Sequence, residues 1–316
     1  MKYRKLGRSG LKVSEISLGS WMTYGGYVEN EKSIRSIEQA YDHGVNFFDT
    51  ANVYERGEAE KVMGEVLKAY PRESYVLATK VFGQMGDGPN DRGLSRKHVL
   101  EQCHASLKRL QVDYVDLYYC HRFDPETPLE ETLRALDDLI TQGKVLYVGV
   151  SEWTVAQMVE ALAIADKYLL DRIIVNQPVY NMFNRYIEKE VIPTGTNKGI
   201  SQVVFSPLAQ GLLTGKYRRG QAFPTDSRAA SKNWEEDRFK ESQLIQVEKL
   251  EDIASELGIK VSQLALAWVL RQDNVASALV GASRPEQVIE NCAASDVTLS
   301  EDVLEVIEQI LKDDIK

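Results

Sequence analysis

Four side chains able to bind or move protons lie near the ends of three successive apolar segments. Asp49 ends the segment VNFFD and is followed by Tyr54, whereas Lys80 ends YVLATK and His121 ends VDLYYCH. A tyrosine phenol has a pKa of about 10, and a nearby ammonium group lowers that pKa because it favours the phenolate. A histidine can donate a hydrogen bond to a carbonyl oxygen. Together, the four groups could bind such an oxygen and protonate it as it becomes negative.

This chemistry needs neither a nucleophile nor a metal, but its hydride must come from a cofactor. Each residue alone has a simpler explanation. An aspartate after a strand commonly caps the next helix, a lysine at a strand end is commonly a solvated charge, and a single histidine is commonly structural. Their joint occurrence after successive apolar segments favours hydride transfer to a carbonyl compound.

Eight short apolar segments, most of which end at a polar residue, recur along the chain, and helical patterns lie between them. Such strand–helix repeats close into a parallel barrel whose chemistry lies at the carboxyl ends of the strands. We therefore predict an α/β protein with a (β/α)8 TIM barrel, formed by residues 1–316 as one domain, with a hairpin over residues 1–15 capping the amino-terminal end. The predicted strands are ISLGSW (16–21), VNFFD (45–49), YVLATK (75–80), VDLYYCH (115–121), VLYVGVS (145–151), IIVNQ (173–177), QVVFS (202–206) and ALVGA (278–282).

Residue spacing also predicts the helices and one unusual loop. In the hairpin, Gly10 of the turn RSG suits a positive φ. The polar stretch 215–233 separates the last two strands, and a loop this long in a compact domain is usually functional or mobile. The predicted helices are 32–43, 57–69, 95–110 with Ser95 as its cap, 129–142, 153–167, 184–192, 242–257, 261–271 and 299–312.

Composition narrows the function classes. A net charge of −9 argues against a general binder of nucleic acid or of anionic membranes. Three cysteines imply no disulfide framework, so we expect a reducing, cytoplasmic location. No apolar run is long enough for membrane insertion, and the first residues show no signal-peptide pattern.

Three segments resemble signatures of the aldo-keto reductase family: GVNFFDTANVYERGEAEKVMGEVL (44–67), VDYVDLYYCHRFDPETPLEETLRAL (112–136) and LVGASRPEQVIEN (279–291). The resemblance covers the full length and is nearest to the branch of voltage-gated potassium-channel β-subunits and their bacterial reductase relatives. It implies a tetrad of Asp49, Tyr54, Lys80 and His121 with Tyr54 as the proton donor. Channel β-subunits tend to have asparagine at the position of His121, so the histidine favours a working enzyme. That branch also makes a homo-oligomer, a tetramer or octamer, an open expectation.

The predicted cofactor is NADPH. No GxGxxG follows the first strand, which excludes the Rossmann pattern. Ser151 and Gln177 end the fifth and sixth strands and could hold the nicotinamide carboxamide, or they could be a helix cap and a polar rim group. The resemblance adds a pyrophosphate segment (205–217) and an adenosine-end motif. The further predicted cofactor residues are Ser20, Trp21, Asp49, Glu152, Phe205, Ser206, Pro207, Leu208, Ala209, Lys216, Arg228, Gly281, Ser283, Arg284, Gln287, Glu290 and Asn291.

Within this set, Phe205 would stack on the nicotinamide, and the loop after Lys216 could close over the pyrophosphate. Arg284 and Arg228 are candidates for a 2′-phosphate, because guanidinium suits phosphate; for Arg284 a solvated charge at a helix start is the alternative. Glu152 departs from the family, which usually has asparagine or arginine there. It could weaken nicotinamide contacts or alter only helix capping. Tyr27 stands where channel β-subunits often have glutamine, which argues against a cofactor contact there.

The substrate pocket is predicted to have an aromatic-lined entrance, formed by Trp21, Tyr54, His121 and the stretch VYNMFNRY (179–186). Such an entrance suits small, fairly apolar aldehydes and ketones. Arg122 could attract an anionic substrate or form a salt bridge with Asp124 or Glu126.

Two other functions stay open. The first is an NADPH-sensing regulatory protein with little turnover, against which His121 and the lack of an N-terminal extension count. The second is a lyase that uses Lys80 as a Schiff-base nucleophile, against which pairing with Asp49 counts, because a paired ammonium is a poor nucleophile.

Overall fold

A computed structural model describes residues 1–21, 24, 30–222, 224 and 239–312. Tyr27 and Arg228 lie outside the described residues, as does most of the predicted loop beyond residue 222. The cofactor roles considered for these residues therefore stay predictions.

The predicted barrel is confirmed. Eight parallel strands close on themselves in the order β10-β3-β4-β5-β6-β7-β8-β9, and each of the eight apolar segments overlaps one of them. Most strand residues are buried, since one face packs inside the barrel and the other faces the helices. A separate two-stranded sheet precedes the barrel. The strands are β1 (Tyr3–Lys5), β2 (Lys12–Ser14), β3 (Ile16–Gly19), β4 (Phe47–Asp49), β5 (Val76–Val81), β6 (Val115–Cys120), β7 (Val145–Ser151), β8 (Ile173–Gln177), β9 (Ser201–Phe205) and β10 (Val275–Val280).

Eight of the nine predicted helices match described helices to within two residues at each end, whereas the described helix Val191–Lys198 was not predicted. Ser95 caps the helix Arg96–Leu110 through a hydrogen bond from the His98 N–H. No single helix in the described ranges is long and apolar enough to cross a membrane; α7 and α8 pass that test only as a pair bent by 91°, by length and composition. The helices are α1 (Asn30–Asp42), α2 (Glu58–Leu67), α3 (Arg96–Leu110), α4 (Leu129–Thr141), α5 (Val155–Tyr168), α6 (Val191–Lys198), α7 (Glu241–Glu256), α8 (Val261–Leu270), α9 (Pro285–Cys292) and α10 (Glu301–Lys312).

The helix predicted over 184–192 is wrong. That stretch holds only a 3-10 turn, Tyr186–Glu188, before α6 begins. Arg185 bonds Glu188 and also reaches Glu308 at 2.7 Å, while Glu188 accepts from Arg271 at 2.9 Å. These long-range ion pairs are tertiary contacts, which override local helix propensity.

The N-terminal hairpin covers the amino-terminal end of the barrel. Its Leu6 and Val13 belong to an apolar cluster with side chains from inside the barrel, such as Phe47 and Val175. The positive φ falls at Gly7 (+57°) and not at Gly10, contrary to expectation. A Cβ on Gly7 would lie 2.3 Å from the carbonyl oxygen of Ile174, so the turn needs glycine for close approach as well as for backbone conformation.

Helices α2 and α3 approach so closely at Gly64 that a side chain there would strike backbone. A Cβ on Gly64 would lie 2.3 Å from the carbonyl oxygen of Leu110. We expect Gly64→Ala to lower the free energy of unfolding by about 1–3 kcal/mol, because the two helices must separate. Gly10→Ala is the matched control, since nothing lies within 4 Å of a Cβ there. Urea denaturation followed by circular dichroism measures both, and equal stability of the two variants would contradict the prediction.

Candidate active site

A buried ion pair between Lys80 and Asp49 lies inside the carboxyl end of the barrel. The two side chains are 0% and 1% exposed and hydrogen-bond directly through Lys80 Nζ and Asp49 Oδ1. Lys80 Nζ also donates to Thr50 O at 2.8 Å and to Tyr54 Oη at 3.3 Å. An ammonium has three N–H donors, so these contacts satisfy it completely. Burial lowers the pKa of Lys80, but Asp49 and Tyr54 together more than compensate, and the net shift is upward. Lys80 is therefore a charged group.

The turn after β4 brings Tyr54 to this ion pair. Tyr54 begins a 3-10 turn in which Glu55 and Arg56 have φ of 46° and 52°. Its phenol oxygen accepts the hydrogen bond from Lys80. Lys80 Nζ also lies over the Tyr54 ring, 4.9 Å from the ring centroid. The phenol's own O–H is thus left to donate elsewhere.

The net shift of the Tyr54 pKa differs from the sequence-based expectation. Burial raises the pKa of the phenol more than Lys80 lowers it, and the net direction is upward. Tyr54 therefore holds its proton at neutral pH. Lys80 stabilises the phenolate that remains once the proton has been donated.

His121 faces Tyr54 across the rim of the barrel. The two rings meet edge to face with centroids 5.6 Å apart, and the His121 backbone N–H donates to Val81 O at 2.9 Å. Burial, the positive charge of Lys80 and that of Arg122 hold the pKa of His121 well below its ordinary value. The imidazole is therefore neutral near pH 7 and can donate one hydrogen bond.

Ser151 and Gln177 lie side by side, since β7 and β8 pair them in register. The Ser151 hydroxyl donates to Gln177 O at 2.8 Å and accepts from Arg122 Nη1 at 3.2 Å, while Gln177 Nε2 donates to Asp49 Oδ2 at 2.9 Å. Thr154, not Ser151, caps α5. Both side chains thus build the rim of the barrel beside the tetrad.

A cavity of about 720 Å³ joins Tyr54 and His121 to the start of α9. It brings together most of the residues predicted from sequence, whereas Lys80 is buried behind Tyr54. The predicted residues that line it are Trp21, Asp49, Tyr54, His121, Ser151, Gln177, Phe205, Ser206, Pro207, Leu208, Lys216, Gly281, Ser283, Arg284, Gln287, Glu290 and Asn291.

Three described residues of the predicted cofactor set lie outside this lining. Ser20 is buried, and its hydroxyl has no hydrogen-bond partner among the described residues. Glu152 accepts hydrogen bonds from Val179 N at 2.5 Å and Tyr186 Oη at 3.0 Å, so its carboxylate holds the segment after β8. Ala209 starts the turn behind Leu208, with φ of 46°.

Several lining residues were not predicted from sequence. Gln210, Gly211 and Thr214 fall within the recognised segment 205–217 and could have been included by extending it. Lys260 has no comparable signal, because its place in the cavity depends on α8 packing against α9, where it pairs with Glu290. The other missed residues are Gly19, Val53, Glu55, Ser262, Leu279, Val280 and Glu286.

The far end of the cavity suits a charged, elongated cofactor. Lys216, Lys260 and Arg284 place cationic groups in its lining. No side chain caps α9, and the Ser283 N–H and hydroxyl both bond Gln287 Oε1, at 2.9 and 3.2 Å. Helix N-termini and cationic side chains are common phosphate-binding elements, so the residues present fit a dinucleotide.

Comparison with known proteins identifies the family. The model of the Aldo/keto reductase family matches residues 15–312. The chain belongs to this family. It is 46% identical over 320 residues to a "Probable voltage-gated potassium channel subunit beta" of Arabidopsis thaliana, covering 99% of this chain and 97% of that one. A "Putative voltage-gated potassium channel subunit beta" of Schizosaccharomyces pombe is 44% identical over 323 residues, covering 98% and 93%.

A solved structure of a glycerol dehydrogenase from Gluconobacter oxydans has the same fold. Its TM-score is 0.84 at 29% identity, covering 98% of this chain and 94% of the dehydrogenase. These findings confirm the resemblance to the aldo/keto reductases and to the channel β-subunit branch. Members of the family typically use a nicotinamide cofactor, and together with the dehydrogenase they support an oxidoreductase.

The buried Lys80–Asp49 pair should affect the free energy of unfolding. Lys80→Met strands a buried carboxylate and should lower the free energy of unfolding by about 3–5 kcal/mol at pH 7. The double variant Asp49→Asn, Lys80→Met should be clearly more stable than Lys80→Met. Burial already raises the pKa of Asp49, and losing Lys80 raises it further. A raised carboxyl pKa favours the folded state at low pH, so the deficit of Lys80→Met should shrink as pH falls. Urea denaturation at several pH values checks this, and a pH-independent deficit would contradict it.

Proposed function

We propose that this protein is an NADPH-dependent reductase of aldehydes and ketones. The observation that carries the proposal is the Tyr54 phenol, whose oxygen accepts from Lys80 and whose O–H is left to donate into the cavity. When bound, NADPH would supply a hydride to the carbonyl carbon. The residues around it support the reduction of small carbonyl compounds to alcohols.

The tetrad divides the proton chemistry among its members. Tyr54 donates its proton to the substrate oxygen as negative charge develops there. Lys80 stabilises the resulting phenolate, and Asp49 keeps Lys80 charged and fixed. His121, neutral because its pKa is held low, donates a hydrogen bond to the same oxygen. Oriented donors of this kind stabilise the transition state more than the ground state.

The proposal assigns each part of the cofactor to a different group of residues along the cavity. Ser151 and Gln177 lie where they could orient the nicotinamide, with Phe205 stacking beside it. Segment 205–217 would contact the pyrophosphate, and Ser283 with Arg284 would contact the adenosine end. Arg284 supports NADPH over NADH, because a guanidinium matches a 2′-phosphate.

A second candidate is a regulatory protein that binds NADPH and turns over little. The observation that favours it is the set of relatives named as potassium-channel β-subunits, which includes a 43%-identical rice protein covering 99% of this chain and 97% of that one. Against it stands His121, which completes the hydrogen-bond donors needed for reduction.

Tyr54→Phe tests the proton donor. The loss of the phenol O–H should lower kcat for aldehyde reduction by about 10²- to 10⁴-fold, while NADPH still binds. Oxidation of NADPH followed at 340 nm with a panel of aldehydes and ketones gives the rate, and fluorescence titration gives the affinity. Tyr114→Phe is the control, because Tyr114 precedes β6 at the opposite end of the barrel. A wild type that binds NADPH without turnover would favour the regulatory protein.

Arg284→Leu tests the cofactor preference. If Arg284 binds the 2′-phosphate, the variant should lose about 10- to 100-fold in NADPH affinity and little in NADH affinity. Arg134→Leu is a matched control, since Arg134 pairs with Glu130 on the outer helix α4. An equal loss for both cofactors would argue against this role.

A further inference from the structure

Arg122 places a guanidinium at the reacting end of the cavity. Arg122 lines the cavity together with Tyr54 and His121. Its Nη1 donates to His121 O at 2.6 Å and to Ser151 Oγ at 3.2 Å, so the group is fixed at the rim of the barrel. Arginine has five N–H donors, and both of these contacts use the same nitrogen. The remaining donors are available to a ligand.

The carboxylates beside Arg122 in sequence and space serve other groups. Asp124 accepts from two backbone N–H groups and from the Thr127 hydroxyl, at 2.7 to 3.0 Å. Glu152 is held by a backbone N–H and a tyrosine hydroxyl beyond β8. Within the described ranges, Arg122 forms no ion pair, so the salt bridge considered from sequence is not formed. Glu55 lines the same cavity without pairing with Arg122.

The charge of Arg122 acts on the tetrad. After burial and Lys80, Arg122 is the third cause that lowers the pKa of His121, and it also opposes the rise in the pKa of Tyr54. Because Asp49 neutralises Lys80, Arg122 is a positive charge beside the reacting groups that has no acidic partner within the part of the chain described. An anionic group on a substrate would supply that partner.

We infer that Arg122 determines substrate specificity by binding the carboxylate of an anionic aldehyde whose carbonyl group faces Tyr54 and His121. The inference rests on the proposed reductase function and narrows its substrate class. A planar guanidinium can form two parallel hydrogen bonds with a carboxylate, which orients the substrate as well as attracting it. Orientation lowers KM and places the carbonyl oxygen near its donors.

Two matched substrate pairs test the inference. The rigid pair is 4-carboxybenzaldehyde and methyl 4-formylbenzoate; the flexible pair is succinic semialdehyde and methyl 4-oxobutanoate. In each pair, the ratio of kcat/KM for the acid to that for the ester measures the preference for charge. Arg122→Gln should lower this ratio by about 10- to 100-fold in at least one pair. Arg122→Lys keeps the charge but loses the planar guanidinium, so its ratio should lie between those of the wild type and Arg122→Gln.

A distant charge change is the control. Arg172→Gln removes the same charge at the Arg172–Asp166 pair outside the cavity and should leave the ratio unchanged. The inference is overturned, while the reductase function stands, if Arg122→Gln lowers kcat/KM equally for the acid and the ester, or leaves their ratio unchanged, in both pairs. If the wild type reduces neither acids nor esters, the proposed function fails, and the inference fails with it.

Discussion

The buried ion pair between Lys80 and Asp49 is the constraint on which the site depends. Removing two charges from water is costly, and the cost is met only when each charge finds a partner and its remaining hydrogen bonds. Here Lys80 donates to Asp49, Thr50 O and Tyr54, and Asp49 also accepts from Gln177. These groups come from β4, the turn after it, β5 and β8. Only a closed barrel brings β8 opposite β4, so fold and charge pairing support each other.

The barrel wall behind this pair also holds the turn that carries Tyr54. Glu60 of α2 is fully buried, accepts from Thr79 Oγ1 at 2.6 Å and pairs with Arg109 of α3. Thr79 is the neighbour of Lys80 on β5, and its side chain points outward because strand side chains alternate. The network therefore fastens α2, and with it the preceding turn, to the outer face of the strand whose inner face carries Lys80.

Charge is distributed unevenly along the cavity. At the reacting end, Lys80 is paired with Asp49, whereas Arg122 has no ion pair among the residues that the structure describes. At the far end, Lys260 pairs with Glu290. Low solvent access strengthens the effect of each charge. Burial is the main cause that lowers the pKa of His121, and the charges of Lys80 and Arg122 lower it further. A neutral imidazole, a protonated phenol and a nearby guanidinium together form a site that donates protons and hydrogen bonds and attracts negative charge. That is the electrostatic character required for the reduction of a carbonyl group.

The local sequence pattern was sufficient to predict the eight strands and most helices, because apolar periodicity is a property of neighbouring residues. It was also sufficient to predict the tetrad, because the strand ends of a parallel barrel meet on one rim. The order of residues along the chain was sufficient to predict that Asp49, Tyr54, Lys80 and His121 share that rim. It could not determine the upward pKa shift of Tyr54, since that shift depends on burial by the whole fold. Sequence also did not predict that Lys260 lines the cavity or that Glu152 lies outside it. Nor did it predict that residues 184–192 form ion pairs with Arg271 and Glu308 where a helix was expected. Each of these depends on residues far apart in the chain, which only tertiary structure brings into contact.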